Sequence, residues 1–186
     1  LITKVDTIII GGGMANTFLK AQGYEMGKSL VEAEKLDLAK ELMKKAAQRG
    51  VEFLLPLDLV IADSIDNPGK IEIVEPHRLP ADKMALDIGP ETIYIYSQEI
   101  REAKTIIWNG PMGVFEKDEF AKGTEQVAKG VGYTEAYTMV GGGDSVAAIK
   151  KVGLTDTINH VSTGGGASLE FLEGKKLPGI SVLLEK

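Results

Sequence analysis

The 186-residue chain contains no cysteine, which excludes disulfides, zinc–thiolate centres and thiol nucleophiles. Its two histidines, His77 and His160, lack metal-ligand spacing and belong to no serine–histidine–aspartate arrangement, so both read as structural. No apolar run approaches the roughly 20 residues that span a bilayer, and no signal-peptide pattern opens the chain. The expectation is a cytoplasmic protein without a membrane partner. The formal net charge of −6, with lysines scattered along the chain, disfavours nucleic acid as a partner. Arginine occurs only at Arg49, Arg78 and Arg101, none beside a glycine-rich segment. The guanidinium fork that usually grips a phosphorylated or carboxylated substrate is not on offer at those segments.

Glycine is plentiful and patterned. Three triple-glycine runs each end a short apolar stretch: IIIGGGMA at residues 11–13, YTMVGGGDS at 141–143 and HVSTGGGAS at 164–166. Without a Cβ, such a run lets backbone N–H groups turn toward an anion that a side chain would hold away. A small or helix-capping residue follows each run within two places, so each is expected to open a helix whose positive end faces the same spot. Three strand–glycine–helix junctions in one small domain argue for a polyphosphate site.

The hydrophobic fraction of 44% and charged fraction of 26% suit one globular domain over residues 1–186. The chain begins at Leu1 almost directly in an apolar strand, which reads as an internal segment of a longer polypeptide. Strands are expected at residues 5–10, 52–56, 58–62, 71–74, 86–88, 105–108, 136–140, 157–161 and 180–184. Helices are expected at about 15–22, 31–49, 90–103 and 118–131, with others from Asp144 and Ala167. Ser29 with Glu32 forms a capping-box pattern for the second helix. Leu36, Ala39, Leu42, Met43 and Ala46 make its apolar stripe, and Gly50 stops it. This alternation predicts an α/β fold with three αβα layers, a Rossmann-like, mostly parallel sheet carrying helices on both faces. Ligands of such sheets bind beyond the strand carboxyl ends. The glycine runs and the NGPMG loop after Trp108 all fall there.

Familiar nucleotide fingerprints do not fit. A G-x-G-x-x-G pattern fails because Asn16, Val146 and Leu169 occupy its last position after the three runs. QGYEMGKS at residues 22–29 nearly matches a phosphate-binding loop, but its first glycine is one place late and a helix precedes it, which favours a plain helix-start loop around Lys28. Asp144 reads as an N-cap, and equally as a carboxylate placed to hold a Mg²⁺ that carries phosphates. Glu116 reads as a solvated loop acid, or as an acceptor for vicinal ribose hydroxyls. Trp108 and Phe115 flank NGPMG and read as packing. Positioning and electrostatics around phosphate are the chemistry available, as phosphoryl transfer requires.

Taken together, IIIGGGMANTF, GKSLVE, LPLDLVIAD, ALDIGPET, TIIWNGPMGVFE, VGGGDSVAAI and HVSTGGGASLEFLEGKKLPG closely resemble the C-terminal, nucleotide-binding lobe of the phosphoglycerate kinase family. They occur in the family's order and cover nearly the whole chain. The resemblance implies an adenine slot lined by Gly12, Gly13, Leu30, Met84, Leu86, Gly113 and Val114, with Asn109, Pro111 and Glu116 at the ribose and the α-phosphate. It implies Gly142, Gly143, Asp144 and Ser145 at the β- and γ-phosphates, with Asp144 on Mg²⁺. Gly143 and the helix opening after Gly164, Gly165 and Gly166 would face the phosphoryl group in flight. The implied reaction is reversible transfer between ATP and 3-phosphoglycerate, giving ADP and 1,3-bisphosphoglycerate in glycolysis, by an enzyme monomeric at full length. Asn16 and Lys83 stand where the family often has aromatic residues. A GGAKVSDK-type segment, which gives the family's lobe its first strand and a lysine at the transferring phosphate, is absent here, as is the N-terminal lobe that binds the acid. The isolated chain is therefore expected to be inactive. The alternative is a non-catalytic nucleotide-binding or scaffolding module.

Overall fold

The structure, a computed structural model, describes residues 1–162 together with Gly164, Gly166, Glu170, Gly174 and Lys175. The apolar, β-branched stretches that precede each glycine run form parallel strands. Strand β1 (Thr7–Ile9) pairs in parallel with β2 (Glu52–Leu54). Between them lie helices α1 (Gly12–Ala21) and α2 (Leu36–Arg49). In the second half, β6 (Thr105–Asn109), β7 (Tyr137–Gly141) and β8 (His160–Ser162) form a parallel sheet in that order. Helices α3 (Pro90–Glu102), α4 (Lys122–Tyr133) and α5 (Gly143–Lys151) connect and flank these strands. The chain is α/β, with parallel sheets flanked by helices, as the alternation predicts.

The middle of the chain departs from one continuous parallel sheet. Strands β3 (Leu59–Ala62), β4 (Glu72–Val74) and β5 (Met84–Ile88) form a separate antiparallel sheet, ordered β4-β3-β5. Two local features cause this. Pro56 has no N–H to give a ladder, and the next two amides, Leu57 and Asp58, donate instead to Thr92 Oγ1 (2.9 and 3.1 Å). After β3 a turn pinned by Ser64 Oγ and the Asn67 backbone, with Gly69 at φ +59°, sends the chain back beside its own strand.

Helix α2 also starts later than its capping-box pattern suggests. A 3₁₀ turn at Ala33–Lys35 precedes it, and no side chain caps it. Ser29 Oγ accepts from the Ala85 amide (2.9 Å), and the Glu32 amide donates to Thr17 Oγ1 (3.1 Å). Tertiary partners have taken both halves of the box. The stripe and the stop are as expected: Ala39 and Ala46 are buried, Leu36, Leu42 and Met43 half-buried, and Gly50 is left-handed at φ +68°. The expected strand at 157–161 begins instead with a 3₁₀ turn, and β8 starts at His160. The expected helix after Ala167 and strand at 180–184 lie largely or wholly outside the described residues.

The main core joins Tyr96 and Ile100 of α3, Val127, Ala128 and Val131 of α4, and Ala148 and Ile149 of α5 to Trp108 and Val140 of the parallel sheet. Ile9 and Leu54, from β1 and β2, pack against the same cluster. Burial holds the Tyr96 phenol well above its ordinary pKa, so it remains a donor and reaches Ile10 O (2.8 Å) at the end of β1. One side chain thus fixes the first glycine run relative to α3. No described helix is long and apolar enough to cross a membrane.

Candidate active site

The loop at residues 109–116, between β6 and α4, is where the first two glycine runs meet. Gly12 N–H donates to Met112 O (2.9 Å), bringing the end of β1 to the loop after β6. Gly12 lies at φ +60°, and a Cβ there would sit 2.9 Å from Pro111 O. A Cβ on Gly11 would meet the Met112 side chain. On the other side, Gly142 at φ +86° rests against the Asn109 side chain, with a built Cβ 3.1 Å from Asn109 Oδ1. The first two glycine runs therefore lack side chains where the 109–116 loop crosses them.

Most residues expected at the adenine slot are brought together. A Cβ on Gly13 would lie 3.2 Å from the Leu30 side chain, which is 73% exposed. Leu30 is held there because its neighbours are tied to β5, Lys28 N–H to Lys83 O (2.8 Å) and Ser29 Oγ to Ala85 N. The Lys28 backbone is thus part of the tie to β5. Val114 N–H donates to Leu86 O (2.8 Å), and Val114 packs with Met84, Leu86 and Phe120. Leu86 is only 5% exposed, whereas Leu30 offers open apolar surface. Gly113 has no room for a side chain, because a Cβ would run into Leu86 O and Asp87. Glu116 is exposed at the outer end of the loop.

At the phosphate end, the first described bond within α5 runs from Val146 N to Gly142 O (3.0 Å). The amides of Gly143, Asp144 and Ser145 precede it and have no acceptor within the helix. Gly142, and not Asp144, is the N-cap, and no side chain caps the helix. The capping reading of Asp144 is corrected: the helix begins before it, because glycine at φ +86° makes the turn one step earlier. Asp144 is exposed in the first turn, and its carboxylate makes no hydrogen bond or ion pair among the described residues. Ser145 is fully buried, and its Oγ accepts from Gly110 N–H (2.6 Å). Gly164 and Gly166 follow β8 and are exposed, while Gly165 lies outside the described residues. No group of three or more carboxylates or histidines placed to hold a metal ion occurs among the described residues. A metal at Asp144 would need phosphate oxygens to complete its shell, which is how Mg²⁺ is ordinarily bound beside nucleotides.

A cavity of about 270 Å³ lies elsewhere, lined by Asp58, Ile73, Val74, Glu75, Arg78 and Glu91. Three carboxylates against one arginine make it a poor host for a polyphosphate. The glycine-lined surface remains the better site.

The family model described as "Phosphoglycerate kinase" matches residues 1–175. The chain belongs to the phosphoglycerate kinase family. Over the full chain it is 61% identical to the phosphoglycerate kinase of Koribacter versatilis and 59% identical to that of Moorella thermoacetica, in each case covering 47% of the relative. The solved phosphoglycerate kinase of Coxiella burnetii superposes on 98% of the chain with a TM-score of 0.93 at 48% identity. That of Pyrococcus horikoshii gives 0.73 at 31%. The chain spans about half the length of the phosphoglycerate kinases it matches (47% and 46% of these two structures).

For a phosphoglycerate kinase segment, the sequence reading missed the polar groups beneath the loop. Asp87 is 4% exposed on β5, where burial pushes its carboxyl up to about 7 against the opposing pull of two backbone donors. Those donors are Ile88 N (2.9 Å) and Gly123 N (2.7 Å). Asp87 thereby caps α4 from a neighbouring strand. Thr124, fully buried in the first turn of α4, accepts from Met112 N–H (2.9 Å). The one available signal was an acid between two apolar residues of a buried strand, in ALDIG. Trp108 and Phe115 are core residues, as read: both are buried, and Trp108 Nε1 donates to Gly110 O (2.8 Å).

Proposed function

We propose that this chain is the C-terminal, nucleotide-binding lobe of a phosphoglycerate kinase acting in cytoplasmic glycolysis. The reaction is reversible phosphoryl transfer between ATP and 3-phosphoglycerate, giving ADP and 1,3-bisphosphoglycerate. One observation carries the reading. Two glycine runs and the 109–116 loop meet at one surface that ends at the start of α5, beside an Asp144 carboxylate with no partner among the described residues.

In this reading the adenine lies between Gly12, Gly13 and Leu30 on one side and Gly113 and Val114 on the other, above Met84 and Leu86. Asn109 and Pro111 border the sugar and α-phosphate, and Glu116 accepts the ribose hydroxyls. The amides of Gly143 and its neighbours, which have no acceptor within the helix, hold the outer phosphates. The third run, Gly164, Gly165 and Gly166, is assigned to the phosphoryl group. Donors fixed in advance stabilise the charge spread over that group without reorganising, each worth a factor of about a hundred to a thousand in rate. Asp144 would hold the nucleotide's Mg²⁺, whose charge offsets that of the phosphates.

The acid substrate is assigned to the other lobe of the full-length, monomeric enzyme, in keeping with the absence of arginine from the glycine loops. Strands β1 and β6 each present an edge with no partner among the described strands, and Ile107 on β6 is 41% exposed. These edges leave backbone groups open to a further strand. A coupled assay tests the reading: the full-length enzyme should turn over ATP with 3-phosphoglycerate, and the purified 186-residue chain should show no measurable turnover. Near-normal turnover by the isolated chain would overturn the assignment of acid binding to another lobe.

A further inference from the structure

The loop that carries Asn109, Pro111, Gly113 and Val114 is fastened at alternate amides. Gly110 N–H is held by Ser145 Oγ (2.6 Å), Met112 N–H by Thr124 Oγ1 (2.9 Å) and Val114 N–H by Leu86 O (2.8 Å). The first two acceptors are side-chain hydroxyls that are fully buried. They project from the first turns of α5 and α4, so two helix starts set where the loop runs. Thr124 has the more central role. Met112, whose amide it takes, also gives its carbonyl to Gly12, so a single residue couples α4 to the first glycine run. The turn of α4 that carries Thr124 is itself fixed by Asp87, through Gly123 N (2.7 Å). A Cβ on Gly123 would run into Asp87, so β5 and α4 have no space between them to relax.

We infer that Thr124 is a positioning residue for nucleotide binding. Its hydroxyl holds the 109–116 loop at the spacing from Gly12 and Gly13 that the adenine requires, without touching the nucleotide. This rests on the nucleotide reading given above. Valine has the shape of threonine but no acceptor, so Thr124→Val leaves the Met112 amide buried and unpaired, and the loop must move to reach another partner.

In the full-length enzyme, Thr124→Val is expected to raise KM for ATP about tenfold while leaving KM for 3-phosphoglycerate within about twofold, and Thr124→Ser should restore the ATP value. Thr124→Ala, which removes the same hydroxyl without adding a methyl group, should give the same split and serves if the valine variant does not fold. Variants that melt earlier but keep the wild-type KM for ATP would overturn the positioning role and leave the nucleotide reading intact. A wild-type enzyme that neither binds nor turns over Mg-ATP would overturn both.

Discussion

Asp144→Ala in the full-length enzyme is expected to lower kcat by about a hundredfold or more, as loss of one preorganised charge-stabilising group does. The structure separates this effect from any loss of stability. The Asp144 carboxylate is exposed, does not cap α5, and makes no hydrogen bond or ion pair among the described residues. Its structural contribution is confined to the favourable placement of a negative charge in the first turn of a helix, about 0.3–1 kcal/mol. The melting temperature should therefore fall by no more than roughly 4 °C. Asp144→Asn keeps an oxygen but loses the charge, and should recover little of the rate if the carboxylate holds Mg²⁺. A coupled assay with thermal melts on the same preparations checks both halves. An alanine variant with wild-type kcat would remove Asp144 from the site.

Asp58→Ala should have the opposite signature, a large loss of stability from a residue whose carboxylate makes no described hydrogen bond to the glycine loops. Asp58 is 6% exposed. Its carboxylate accepts from Thr92 N (2.8 Å), Glu91 N (3.1 Å) and Thr92 Oγ1 (2.6 Å). It is the cap of α3, supplied from the segment just before β3 rather than from the residue preceding the helix. That residue is Gly89, where a Cβ would collide with the Asp58 carboxylate. Removing the carboxylate leaves two helix-start amides without their acceptor in a buried place. The expected cost is about 3–4 kcal/mol, the sum of a lost cap and a buried unpaired donor. Urea unfolding measures it, and Asp58→Asn should lie between alanine and wild type. A loss under about 1 kcal/mol would show that water or a shifted Thr92 replaces the cap.

These two aspartates also mark the limit of what the sequence discloses. Strands β1, β6 and β7 and the loops after them are legible because β-branched runs ending in glycine leave few alternatives. The α2 stripe is legible because helical spacing is local. The Ser29–Glu32 box fails because Thr17 and Ala85, distant in sequence, compete for the same groups and win. Asp144 looks like a cap because aspartate before a helix usually is one, and Gly142 takes the position by reaching φ +86°. The antiparallel sheet is hidden because β3 and β5 are as apolar as parallel strands, and only the partner choice of Leu57 and Asp58 separates β3 from β2. Asp58, Asp87 and Thr124 each serve an element distant in the chain, and no local spacing announces that. The site follows the same division. Its glycines and Asp144 stand out in the sequence, whereas the groups that hold the 109–116 loop in place do not.

The central claim is that the glycine-lined surface, and not the acidic cavity beside Asp58, takes the nucleotide. A crystal structure of the full-length enzyme with MgADP tests it most directly. The account predicts the adenine between Gly12, Gly13 and Leu30 and the Gly113–Val114 backbone, with the phosphates at the start of α5 and the metal on Asp144. A nucleotide seated among Ile73, Arg78 and Glu91, with residues 109–116 untouched, would contradict it.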